Sequence, residues 1–353
     1  MDNTILHLWK MIGKIILVVF FLQGPVFTIT AQTTTEEHFN IGLTYPISTN
    51  GTRAKQCTNT FSLNAVIGMS ASEKGVSIAG FSNIILDSAS GLQIASFSNQ
   101  IYNRSEGVQV AGFLNYIRNS SSGVLAAGFL NIAGSTNGVN VAGFGNIIRR
   151  NSSAVQVAGF INKSGDAGTQ VAGFINVARK VKGVQVAGFI NVADSSDYPI
   201  GFVNIIKNGE KTIGVSTDET LTTLLSFRSG GRRLYGIVGA GYNNKGSRQL
   251  AAWEAGLGAH LAFTDNFRLN TELVNTGLTD FKNGAYFRSS VRLMPALRLT
   301  SRLEIFAGPS FNYVYSHKGQ GADLVSHYLW SDKKNQDIHG LYFGVTGGLA
   351  VRL

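Results

Sequence analysis

Gly107-Val108-Gln109-Val110-Ala111-Gly112-Phe113-Leu114-Asn115 is one copy of a unit that recurs from Gly75 to Asn204. The other copies read GVSIAGFSN, GLQIASFSN, GVLAAGFLN, GVNVAGFGN, AVQVAGFIN, TQVAGFIN, GVQVAGFIN and a shortened PIGFVN. Their phenylalanines, Phe81, Phe97, Phe113, Phe129, Phe144, Phe160, Phe174, Phe189 and Phe202, are spaced 16, 16, 16, 15, 16, 14, 15 and 13 residues apart. The asparagines follow in step at Asn83, Asn99, Asn115, Asn131, Asn146, Asn162, Asn176 and Asn191. A short, steady period of this kind marks a repeat architecture.

Each unit reads as a strand. Period two places Val108, Val110, Gly112 and Leu114 on one face and Gln109, Ala111, Phe113 and Asn115 on the other. Polar linkers such as Arg118-Asn119-Ser120-Ser121-Ser122 leave no room for a helix. Two architectures fit. In a parallel β-solenoid each unit is one coil, and every position stacks on its equivalent in the next. In one large antiparallel barrel each unit is a single strand, and equivalent positions do not generally meet. Only parallel stacking explains a fixed Phe and a fixed Asn directly, so the β-solenoid is the favoured reading. The barrel alternative has 18 or 19 strands.

Working outward, residues 32–74 are expected to form a strand pair or cap, with strands at 39–47 and 61–68 around a polar loop at 48–59. After the array (75–209), the region 210–353 alternates over longer segments. Trp253, Ala255, Leu257, Ala259, Leu261 and Phe263 oppose Glu254, Gly256, Gly258 and His260. Strands are expected at 211–217, 220–229, 232–243, 250–263, 267–279, 285–297, 302–316 and 341–353. Short turns alternate with longer loops at 244–249, 280–284 and 317–340, which is the asymmetry of an outer-membrane barrel. A soluble sandwich or lipocalin-like barrel alternates in the same way but with its apolar face inward. The fold class is therefore all-β: a repeat array followed by an outer-membrane-type antiparallel barrel.

The first 31 residues read as a secretory signal peptide: Lys10 and Lys14 precede the apolar run Ile15 to Leu22, and cleavage is placed after Ala31. That run is too short to cross a bilayer as a helix, which takes about 20 residues. The single cysteine, Cys57, excludes an internal disulfide framework. The net charge is +10, but the basic residues are scattered, and no nucleic-acid partner is expected.

Glu254, His260, Arg268, Glu272, Arg288, Arg292, Glu304 and Arg352 fall on polar faces of the C-terminal strands. In a small barrel such residues fill the interior as a salt-bridged plug; in a wide one they line a pore. No spacing singles out a general acid and base, and no catalytic residue, cofactor or metal site is assigned. His317, His327 and His339, with Asp323, Asp332 and Asp337, share the longest loop, but their spacing matches no compact ligand motif. The glycines of the repeat precede no helix and no Lys-Ser/Thr pair, so they are not a phosphate loop. Asn103, Asn119 and Asn151 each open an N-x-S/T triplet, as composition alone would give.

The units resemble those of the surface-repeat outer-membrane proteins of Gram-negative bacteria; Gly107 to Asn115 and Gly183 to Asn191 are close matches. The resemblance extends to Pro46-Ile47-Ser48-Thr49-Asn50-Gly51, Asn59-Thr60-Phe61-Ser62-Leu63-Asn64, Ile205-Ile206-Lys207-Asn208-Gly209 and Ile305-Phe306-Ala307-Gly308-Pro309. It implies a location in the outer membrane or at the cell surface and no established activity. The expectation is an exported, outer-membrane-associated repeat protein with a structural or binding role. Its partners would be outer-membrane lipid and an unknown surface ligand or envelope protein. The alternatives are a porin-like channel formed by one continuous barrel, and an envelope enzyme using Glu254, His260 and Glu272.

Overall fold

The computed structural model describes residues 35–231, 233–245, 250–262, 264, 266–281, 285–321 and 323–353. The expected leader and Phe263 lie outside the described residues.

The repeats wind into a parallel β-solenoid of about ten turns. Successive units pair in register, so that Asn99 lies beside Asn115, Asn115 beside Asn131, and Asn131 beside Asn146. The array and the C-terminal region form separate sheets, which excludes the barrel of 18 or 19 strands. One expectation needs correction. A unit is two strands, not one, as in Ser72–Ala79 with Ser82–Ile85 and Ala89–Ala95 with Ser98–Ile101. The chain turns a corner at the Gly-Phe pair, so strict alternation breaks there. Gln109, Ala111 and Asn115 point inward, whereas Phe113 is half-buried on the outside.

The corner explains its own glycine. A Cβ on Gly112 would sit 2.0 Å from the Ser96 carbonyl oxygen of the preceding coil, and one on Gly128 would sit 2.0 Å from that of Gly112. A second bend falls earlier in four of the units, at Gly91, Gly107, Gly123 and Gly138, whose φ angles of +85°, +98°, +114° and +113° favour glycine. Between the bends, alanines and isoleucines stack into the core, including Ile85, Ile101, Ile117 and Ile148.

The solenoid begins earlier than its repeat signature. Phe39–Thr44 runs parallel to Cys57–Asn64, which runs parallel to Ser72–Ala79. Residues 39–74 are thus its first coils. The single strand expected at 61–68 is divided between Cys57–Asn64 and Ile67–Ser70, and the expected loop at 48–59 contains a 3-10 helix, Gly51–Gln56.

Eight antiparallel strands close the C-terminal barrel: Lys211–Asp218, Thr222–Gly230, Leu234–Asn243, Leu250–Ala262, Phe267–Thr279, Ala285–Arg298, Leu303–His317 and Asp337–Arg352. The last pairs with the first, from Thr212–Arg352 to Asp218–Thr346. The eighth strand starts four residues before the expected 341, and a short strand, Trp330–Lys334, pairs with it, so the longest loop is partly a hairpin. Alternation resolves in one direction. Along Ala285–Arg298, Tyr286, Arg288, Ser290, Arg292, Met294 and Ala296 are buried, while Phe287, Val291, Leu293 and Leu297 are exposed. The apolar side faces outward, the reverse of a soluble barrel. Among the described residues no helix is long and apolar enough to cross a membrane.

The last coil of the solenoid presses its end against the outer wall of the barrel. The Asn204 backbone N–H donates to Ser229 Oγ at 3.0 Å and its Nδ2 to the Ser229 carbonyl at 3.2 Å. The barrel therefore closes one open edge of the solenoid, and a covered edge cannot recruit a foreign strand.

Candidate functional site

Two places gather polar or aromatic side chains in an ordered way: the barrel interior and the columns of the array. Inward-facing positions bring opposite charges together in three layers, mostly from strands that are not neighbours in the wall and so reach across the interior. In the middle layer Arg292 Nη2 is 2.6 Å from Glu254 Oε2, and its Nη1 is 3.7 Å from Glu272 Oε2. Arg228 Nε donates to Glu272 Oε1 at 2.8 Å, and the Tyr235 hydroxyl donates to the same oxygen at 3.0 Å. Toward the long loops, Arg288 pairs with Asp218 and accompanies the Tyr342 hydroxyl at 3.3 Å. Toward the short turns, Arg268 bridges Glu210 at 2.8 Å and Glu304 at 2.9 Å.

Six of the eight residues singled out from the sequence, Glu254, Arg268, Glu272, Arg288, Arg292 and Glu304, thus meet in this interior as its plug. His260 stands apart from the Glu254 layer, stacked on Tyr235 with ring centroids 4.3 Å apart and hydrogen-bonded through Nδ1 to Asn270 Oδ1 at 2.8 Å. Arg352 keeps the inward side of its strand but sits at the rim, exposed to solvent, where it lines the mouth of the interior with Glu210, Thr212 and Glu304 rather than joining the buried plug. Sequence reasoning missed Arg228, Asp218, Glu210 and Tyr235. Arg228 shares the inward face of its strand with Thr222, Leu224 and Ser226, and that alternation could have found it.

Such an interior neutralises charge rather than exposing it. Glu254 and Glu272, the carboxylates nearest to an acid–base pair, share the same guanidinium. In the long loop His317 Nδ1 is 2.8 Å from Asp337 Oδ1 and His339 Nδ1 is 2.8 Å from the Tyr313 hydroxyl. Among the described residues no group of three or more His, Cys, Asp or Glu is placed to hold a metal ion.

The columns of the array are built differently. Inside, Asn99 Nδ2 donates to Asn115 Oδ1 at 3.0 Å, Asn115 to Asn131 at 3.0 Å, and Asn131 to Asn146 at 2.9 Å, an unbroken ladder from Asn83 to Asn204. Outside, the eight rings from Phe81 to Phe189 stack at centroid distances of 4.8–5.3 Å with interplanar angles of 1–18°. Opposite them, serine, threonine and asparagine rows line a polar groove of about 620 Å³ that includes Glu106, Ser122, Asn137 and Ser153.

One buried carboxyl stands near the start of the inward column that continues through Ala89 to Ser105 and Ser121. Glu73, 3% exposed, accepts hydrogen bonds from Asn59 Nδ2 at 3.0 Å and Ser62 Oγ at 2.8 Å. Burial outweighs those bonds and pushes its pKa from 4.5 up to about 7. Over that interval the folded state holds a proton that the unfolded chain has released. Stability conferred by the protonated form is complete below about pH 4.5 and is lost as the pH rises to about 7. The full loss is about 3 kcal/mol. Urea titrations at pH 4.5 and 8 are expected to show this slope in the wild type and to lose most of it in Glu73→Gln; equal slopes would refute the assignment.

No protein-family model, curated protein or solved structure matches the chain.

Proposed function

We propose that this is an exported, outer-membrane-anchored repeat protein whose barrel is the anchor and whose solenoid is a rigid structural or binding surface in the cell envelope. The observation that carries this reading is the direction of the barrel's alternation. Closed strands with exposed Leu257, Leu273, Val291, Leu293, Phe311 and Val345 around a paired, charged interior suit a lipid surround and suit water poorly. The predicted leader supplies the export route. The partners are outer-membrane lipid and a ligand or envelope protein that the array engages; nucleic acid is not among them. The protein is expected in the outer-membrane fraction and resistant to carbonate extraction. Recovery of the native chain only in the soluble periplasm would sink the proposal.

The porin-like reading loses its support with the continuous barrel. An eight-stranded wall leaves room for side chains rather than a channel. Planar-bilayer recordings of the folded mature chain are therefore expected to show no stable current steps. Repeated steps of constant size would restore transport as the function.

A further inference from the structure

We propose that the phenylalanine corner of the solenoid is itself a lipid-binding surface, lying in the membrane leaflet on the short-turn side of the barrel. This inference rests on the barrel being the membrane anchor.

The seam with the barrel fixes how the array is turned. At its lower end, Gly231 in a short turn lies against Ser196, Asp197 and Pro199. Two residue pairs further up the wall, the paired residues Ser229 and Gly236 meet Asn204 and the Gly201-Phe202 corner. The corner thus points from the short turns toward the middle of the barrel, and the polar linkers point away from it. Two strand residues amount to a rise of about 7 Å. That is within the depth of about 5–10 Å to which interfacial elements bury an apolar face.

In-register stacking carries this orientation along the array. Beside the ring stack runs the outward column Ile78, Ile94, Val110, Ala126, Val141, Val157 and Val171, in which Val110 is 38% and Val141 42% exposed. Phe81, Phe160, Phe174 and Phe189 are 40–46% exposed. No charged residue occurs in the ring column or in this neighbouring one. Most charges sit instead at the far bend, at Arg104, Glu106, Arg118, Arg149, Arg150 and Arg179; Lys163 is the exception, on the strand that leaves the corner. A protein partner normally meets an apolar core framed by a polar rim. This stripe is uniform from coil to coil and joins the outer wall of the barrel, which makes the occupant a continuous apolar medium. Outer-membrane short turns face the periplasm, so the leaflet is the periplasmic one.

The test uses the full mature chain in phospholipid vesicles with and without brominated acyl chains. Single-tryptophan variants are made in a Trp253→Phe, Trp330→Phe background: Phe160→Trp in the ring column, Val141→Trp beside it, and Ser122→Trp on the polar groove. A fourth variant retains Trp253 alone as the barrel control. Brominated chains are expected to quench positions 160 and 141 by about twofold, as for groups buried at interfacial depth, and to leave 122 unchanged. If Phe160→Trp misfolds, Val141→Trp carries the measurement. Quenching at Trp253 but not at 160 or 141 overturns this inference and leaves the anchor intact. A dimer of this chain with unquenched, buried tryptophans at 160 and 141 overturns it in favour of a second copy. No quenching at Trp253 either removes the anchor, and the inference with it.

Discussion

Replacing Asn131 by leucine is expected to destabilise the array by about 3–6 kcal/mol, because two or three buried polar atoms lose their partners at about 1–3 kcal/mol each. Asn131 is fully buried. Its Nδ2 donates to the Val141 carbonyl at 2.8 Å, to the Leu125 carbonyl at 3.2 Å and to Asn146 Oδ1 at 2.9 Å, while its Oδ1 accepts from Asn115 at 3.0 Å. Leucine matches the volume and none of the bonds. Each coil is stabilised chiefly by its neighbours, so a fault in the middle uncouples the two halves. Amide exchange should accelerate most on the N-terminal side, since the C-terminal coils remain clamped to Ser229. An unchanged urea midpoint with uniform exchange would show that the ladder is not what holds the coils together.

Arg292→Ala is expected to be nearly as damaging in the barrel. It leaves Glu254 without a cation and removes one of the two arginines facing Glu272. Breaking a buried pair on one side costs about 3–5 kcal/mol, whereas removing both charges together costs far less. The temperature at which the barrel loses its folded gel mobility should fall sharply in Arg292→Ala. It should recover in large part when Glu254→Gln and Arg292→Met are combined, because Arg228 still serves Glu272. Equal melting of the single variant and wild type would mean that the interior is hydrated enough to tolerate a lone carboxylate.

The stacked phenylalanines and the asparagine ladder were legible in the sequence because a parallel coil repeats its contacts as well as its residues. The corner was not, since period two shows which residues share a face and not where a strand bends. Gly112 encodes the bend through what a Cβ there would strike, a carbonyl sixteen residues back. The first coils were hidden for a related reason. Val66 occupies the place of Phe81, and Gly68 that of Asn83, so the fold persists where the signature has lapsed. In the barrel, seven of the eight expected strands lie within three residues of the observed bounds. The alternation could not reveal which face points inward, because its pattern is the same either way. Closure decides that, by placing Arg228, Glu254, Glu272 and Arg292 within one narrow interior.

The seam at Ser229 gives this architecture a freedom that neither part has alone. One end of the array is fixed to the barrel wall, and the other carries its own irregular start around Phe39–Thr44. Every coil between them meets the same kind of neighbour above and below. A whole unit can therefore be duplicated or deleted without disturbing either end, changing the reach of the molecule in steps of about 4.8 Å, the spacing of hydrogen-bonded strands. The number of units is an adjustable length, set by the gene in increments of one coil.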